Sequence, residues 1–110
     1  MTNAALAQDV YEAIAEPNRR AILELLSETE RPVGEVVDEL GIRQPSVSKH
    51  LRVLREVDLV SVRKDGRRRL YTAKPEALEP VHEWVAQFER FWGHQLDSIA
   101  KRAERDRREG

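Results

Sequence analysis

Gln44, Ser46, Ser48, Lys49 and Arg52 crowd into nine residues and bring together one amide, two hydroxyls and two cations. A glutamine amide can pair bidentately with an adenine edge, the cations can pair with guanine, and serine is less discriminating. The same cations can instead grip phosphates, which position a protein on DNA without reading it. Such side chains reach a major groove when they occupy the opening turns of a helix laid into it. Pro45 suits the start of a helix, where its missing N–H is no loss. Val47, Leu51, Leu54 and Asp58 then fall on one stripe at helical spacing, while Pro45, Lys49, Arg52 and Glu56 point the other way. An ordinary amphipathic surface helix would share this pattern, and the stretch alone does not choose between the two.

The neighbouring elements make the choice. A short helix is predicted from Val33 to Leu40, with Val36, Val37 and Leu40 buried, and Gly41 is suited to a left-handed cap at its end. The next helix opens at Gln44 or Pro45, so residues 33–58 form a helix-turn-helix. After Leu59 the period changes. Val60, Val62, Leu70, Tyr71 and Thr72 favour strands, and Asp65-Gly66 is a turn signal, which makes 60–73 a β-hairpin wing. A two-residue turn there would set Val62 opposite Arg69, and a three-residue turn would set it opposite Leu70. Arg67 and Arg68 are the leading wing contacts to a sugar-phosphate backbone or minor groove, with Arg63, Lys64 and Arg69 in support. The competing use of these charges is protection of a sheet edge.

Charge is segregated along the chain. Arg43 to Arg69 holds nine cations against three anions, a net +6, so a total of −1 leaves −7 for the rest. One basic face on an acidic body suits a polyanion and disfavours indiscriminate binding.

The flanks read as helices that pair two copies of the chain. Leu6, Val10, Ala13 and Ile14 mark an amphipathic helix from about Asn3 to Ala15. Glu16-Pro17-Asn18 restarts a second helix with Ile22, Leu23, Leu25 and Leu26 inward, and Ser27-Glu28-Thr29-Glu30 is its exit loop. Pro75 opens a last helix, running from Glu76 to about Arg105. Val81, Trp84, Val85, Phe88, Phe91, Trp92, Leu96, Ile99 and Ala103 form a broad apolar band along it. A helix of that length outruns a small winged domain, and a second copy about a two-fold axis is the simplest cover for its stripe. The dimer interface is therefore placed on 1–15 and 75–105, through Leu6, Val10, Val81, Trp84, Val85, Phe88, Phe91, Trp92, Leu96 and Ile99. Monomer core and the lining of a ligand pocket are the other uses of these aromatics.

A chain of 110 residues has room for one domain, expected here to span 1–110 as a mainly α winged helix-turn-helix with about five helices. No apolar run approaches the roughly 18 residues of a membrane span, and residues 1–9 lack the pattern of a signal peptide, so a cytoplasmic protein is expected. Without cysteine there is no disulfide framework or thiolate metal site. Ser46 and Ser48 have no Asp–His pair placed to activate them, and no glycine-rich phosphate loop appears, so the residues exclude the familiar enzyme patterns.

Three stretches carry a family resemblance that covers about Ala4 to Ile99. Glu16 to Leu26 resembles a D-P-x-R-x-x-I-L-x-x-L opening, Gln44 to Leu54 a S-Q-P-x-V-S-x-H-L-x-x-L recognition helix, and Lys64 to Tyr71 a wing. The family is that of the arsenical-resistance-type (ArsR) winged-helix repressors. The resemblance implies a homodimeric, often autoregulatory repressor of bacterial transcription that binds double-stranded DNA, with no membrane partner. It places His50 in the recognition-helix signature, in a packing or phosphate-contact role.

Departures from the family matter too. Pro32 and Gly34 stand where metal-sensing members carry a cysteine pair, which removes the soft-metal site. A second family site, between the last helices of two subunits, matches Val81, Glu83, His94 and Asp97. Three of these are acceptable zinc ligands, but the first is valine and His82 is one residue out of register. The reading is therefore a DNA-binding repressor without metal or cofactor and with an unknown effector. Two recognition helices about a two-fold axis imply a pseudo-palindromic operator with half-sites about one helical turn apart. The alternative is a winged-helix protein–protein module, antitoxin-like or an adaptor, working through its aromatic last helix.

Overall fold

Prolines and glycines set the element boundaries almost throughout. The computed structural model describes residues 9–92, so Leu6, His94, Leu96, Asp97 and Ile99 lie outside the described residues. The chain divides into two compact units, 1–80 and 81–110, each taken by itself.

In the first unit, α1 covers residues 9–14 and turns sharply into α2 (Pro17–Glu28). Glu16 caps α2 by accepting the Arg19 backbone N–H at 2.9 Å. Arg19 and Arg20 turn back and donate to the carbonyls of Ala13 and Ile14, at 2.6 and 2.8 Å, so the free end of α1 is closed by side chains. The helix α2 continues through Ser27 and Glu28, which were expected in the exit loop. Ser27 Oγ donates to the Leu23 carbonyl at 2.8 Å, and the extended Thr29 ends the helix.

Next come α3 (Val33–Leu40) and α4 (Gln44–Glu56). Of the residues expected inside from α3, Val36 is fully buried, whereas Val37 and Leu40 are half-buried. Ile22 and Leu26 of α2, Val36 of α3, Val47, Leu51 and Leu54 of α4, and Leu59 beyond it are the largest fully buried side chains. Each such burial contributes about 1.5–3 kcal/mol. This core fixes the roll of α4 about its own axis, and therefore which of its residues face outward. Val10 and Ala13 of α1 are buried in the same chain, Val10 at 2 % exposure. Val10 therefore packs inside its own protomer, which corrects its placement at a dimer interface.

The hairpin joins β1 (Val60–Asp65) to β2 (Arg68–Ala73) antiparallel. Asp65 pairs with Arg68 and Val62 with Tyr71, so both expected registers were wrong. The two-residue loop is Gly66-Arg67, one residue beyond the Asp65-Gly66 signal. Gly66 takes a φ of +66° and Arg67 does not share the positive φ, the sign pattern of a type II′ turn with glycine first. A single residue extends the sheet: Arg31 pairs with Tyr71 through N–H to O bonds of 3.0 and 2.9 Å in the two directions.

The expected continuous helix over 75–105 is interrupted within the described residues. Pro75–Leu78 forms a 3₁₀ turn, and α5 (Glu79–Ala86) starts afresh. The reason is Pro80, which has no N–H to donate back toward residue 76, so it fits a first turn and not a helix interior. Tyr11 Oη fastens this junction by donating to the Pro80 carbonyl at 2.9 Å. A second turn at 87–88 precedes further helix at 89–92. Taken by itself, the second unit exposes large aromatics: Trp84 at 53 %, Phe88 at 42 %, Phe91 at 68 % and Trp92 at 45 %. The Trp84 and Phe88 rings meet edge to face at 5.3 Å. No helix among the described residues is long and apolar enough to cross a membrane.

Candidate nucleic-acid interface

The reading helix α4 is held at both ends. Gly41, at φ +64°, closes α3 by donating to the Val37 carbonyl at 2.9 Å, and the extended Arg43 then starts α4. At the far end Leu59 N–H reaches the Leu54 carbonyl at 2.9 Å and Asp58 N–H reaches that of Arg55 at 3.1 Å. This is a Schellman closure with Asp58, at φ +63°, in the left-handed position usually given to glycine. Asp58 thus lies beyond the helix and is exposed, not on the buried stripe where helical spacing had set it. Its Oδ1 accepts from Lys74 Nζ at 2.8 Å.

Between those ends Gln44, Ser46, Ser48, Lys49 and Arg52 are all exposed, opposite the buried Val47, Leu51 and Leu54. Arg43 and Arg55 are exposed at the two ends of the same helix. Helical spacing does not single out either one as a contact; the signal that does is a cation beside a reading helix. His50 is different. Its side chain is 15 % exposed, with Nε2 3.8 Å from the Glu16 carboxylate and Nδ1 buried without a partner among the described residues. It faces the α1–α2 corner, so its geometry supports packing and separates it from the exposed reading residues.

The wing has two electrostatically distinct sides, because side chains alternate along a strand. Arg63 and Arg68 lie on one side with carboxylates: Glu30 accepts two bonds from Arg63, at 2.9 and 2.5 Å, and Asp65 lies 3.5 Å from Arg68. Lys64 and Arg69 lie on the other side, directly opposite each other, with no ion pair among the described residues. Arg67 sits at the tip, exposed and likewise with no ion pair among the described residues. Of the five wing cations expected to contact DNA, Lys64, Arg67 and Arg69 are therefore free to do so, whereas Arg63 is held by Glu30.

That pair carries a pH dependence. The hydrogen-bonded Arg63 guanidinium holds the Glu30 carboxyl below its usual range, against the opposing effect of partial burial, and Glu30 raises Arg63 in turn. A lowered carboxylate pKa stabilises the fold at pH values above the group's ordinary value and stops doing so as pH falls through the lowered one. Wild type should melt at a higher temperature than Glu30→Gln at pH 7, and the gap should close on acidification through the carboxylate range. A gap that persists after acidification through the whole carboxylate range would show that something other than the charged pair separates them.

Among the described residues no group of three His, Asp or Glu side chains is arranged to hold a metal ion. Glu83 is exposed on α5, and its expected companions His94 and Asp97 lie outside the described residues.

A helix seated on a buried stripe, presenting an amide, hydroxyls and cations, and followed directly by a basic hairpin, defines a winged helix-turn-helix protein. A helix-turn-helix domain family model matches residues 14–63. The HTH-type transcriptional regulator Rv2034 of Mycobacterium tuberculosis is 36% identical over 91 residues, covering 83% of this chain and 82% of that protein. The transcriptional repressor SdpR of Bacillus subtilis is 30% identical over 80 residues, covering 73% of this chain and 89% of that protein. Among solved structures, the homodimeric winged helix-turn-helix DNA-binding domain of Mb0332 from Mycobacterium bovis, a possible ArsR-family regulator, superposes with a TM-score of 0.66. It is 26% identical and covers 78% of this chain and 82% of that one. The chain belongs to the ArsR-type winged helix-turn-helix transcriptional regulators.

Proposed function

We propose that the protein is a homodimeric repressor, acting in the cytoplasm, that binds a pseudo-palindromic operator in double-stranded DNA. The observation that carries this reading is the set of exposed cations along α4 and at the wing that have no carboxylate partner among the described residues, beside an exposed glutamine and two serines. Gln44, Ser46 and Ser48 read base edges, and Lys49, Arg52 and Arg67 hold phosphates. Residues 33–58 act as the reading unit and 60–73 as the wing. The aromatic surface of the second unit pairs two chains, in keeping with the homodimeric state of the Mycobacterium bovis relative, and the two copies set the half-site spacing.

Selection of bound sequences from random duplex DNA identifies the operator, and a titration against salt tests the mechanism. With six to ten phosphates neutralised, affinity should fall about 10³- to 10⁵-fold between about 50 and 200 mM salt. A flat salt response would reject DNA binding through these cations.

A further inference from the structure

A hydroxyl with an arginine three residues before it is the pattern by which arginine-directed serine/threonine kinases choose substrates, through charge. Among the described residues this spacing occurs twice, as Arg43–Ser46 and as Arg69–Thr72. The structure separates the two. Thr72 is half-buried in β2, opposite Ser61 across the hairpin, and its hydroxyl lies against the Glu30 carboxylate. A phosphate there would meet that carboxylate with like charge. Ser46 is exposed in the first turn of α4, and Arg43 is exposed just before it in extended backbone, at φ −62° and ψ 143°. Two backbone bonds to the Arg43 carbonyl close that turn, from Ser46 at 3.0 Å and Val47 at 3.1 Å. Pro45 has no N–H to add, and no side chain caps the helix. Helix ends fray, and this one is held by few bonds, so Ser46 reaches the extended state in which a kinase reads its substrate.

We propose that Ser46 is a phosphorylation site for an arginine-directed kinase, and that its phosphate releases the protein from the operator. Ser46 Oγ attacks the γ-phosphorus of ATP, the bond to the β-phosphate oxygen breaks, and ADP leaves. The hydroxyl proton passes to the kinase's catalytic aspartate. The product carries about −1.5 to −2 charges at pH 7. Beside Gln44 on the reading face, that charge opposes the phosphates of DNA. It also lies one helical turn from Lys49 and takes that cation for itself. The fold keeps its stability, because an anion in the first turn of a helix interacts favourably with the helix dipole. Binding is lost without unfolding. The release rests on the DNA-binding reading, whereas the modification rests on Ser46 and Arg43 alone.

The test treats the full chain with the catalytic subunit of cyclic-AMP-dependent protein kinase and magnesium ATP, and maps the product by peptide mass. Phosphate is expected on Ser46 and not on Thr72, with slower incorporation in Arg43→Gln. The phosphorylated protein should bind the selected operator at least about 30-fold more weakly than untreated protein at about 150 mM salt. That figure follows if the phosphate captures Lys49 alone, which withdraws two contacts per dimer. Melting temperature should equal or exceed that of untreated protein, whereas general damage to the helix would lower it. Whatever operator affinity Ser46→Ala has should not respond to the kinase. No phosphate at Ser46, or incorporation indifferent to Arg43→Gln, overturns the site. Phosphate at Ser46 with operator affinity unchanged overturns the release. If untreated protein shows no salt-dependent affinity for any duplex, the DNA reading fails, and the mass mapping by itself decides the site.

Discussion

Exchanging Arg52 and Arg67 for glutamate should lower operator affinity about 10³-fold at about 150 mM salt. Each phosphate contact contributes about 0.7 log units of affinity there relative to about 1 M salt, and a dimer carrying both changes loses four contacts. The four carboxylates that replace them add repulsion on top of that estimate. Both side chains are exposed and have no ion pair among the described residues, so melting temperature should stay near that of wild type. Fluorescence anisotropy on a labelled duplex measures the effect. Undiminished affinity would remove DNA contact from this face and move support to the rival reading, in which the winged helix serves protein–protein contact.

The second large effect belongs to the exposed aromatics. Phe91→Glu combined with Trp92→Glu should raise the dimer dissociation constant about 10²- to 10⁴-fold. Those side chains are 68 % and 45 % exposed in the single chain, so pairing has roughly half of each left to bury. At about 0.7–1.5 kcal/mol for half a large apolar side chain, four of them per dimer give that range. Sedimentation at micromolar concentration reads it directly. Operator binding should weaken with it, because two half-sites bound by separate chains lose the gain of linkage. A variant that still sediments as a dimer would place the subunit contact elsewhere, and a ligand pocket or a foreign protein would become the better use of these rings.

Local signals in the sequence carried well, and long-range ones did not. The limits of α3, the left-handed Gly41 and the start of α4 at Gln44 follow from cap chemistry and helical period, both confined to a few neighbouring residues. The anchoring trio Val47, Leu51 and Leu54 follows from the same period. The hairpin was legible but its register was not, because a strong Asp-Gly signal displaced the loop by one residue and so every pairing by two. Arg31's addition to the sheet is a single residue and has no period to detect. The Arg63–Glu30 pair joins residues 33 positions apart, which no local pattern reports. The last helix misled because its apolar spacing runs smoothly past Pro80 and past residues 87–88, where the backbone turns. Val10 misled for a related reason: amphipathic spacing shows which residues seek cover and not whether that cover comes from the same chain.

The three residues between α4 and the wing leave little freedom for the reading parts to shift against each other. Val57 and Leu59 are buried, and Asp58 is fastened through its backbone to Arg55 and through its carboxylate to Lys74. The Lys74 backbone N–H also donates to the Leu59 carbonyl at 2.7 Å, so one residue staples this joint twice. Helix and wing therefore meet DNA as a stiff template, and adjustment at a mismatched site falls to the duplex. Bending a site of about 20–30 base pairs costs on the order of 1–6 kcal/mol and depends on its sequence, with TA and CA/TG steps yielding most easily. A stiff reader of this kind favours operators by the pliancy of base pairs that none of its side chains touches.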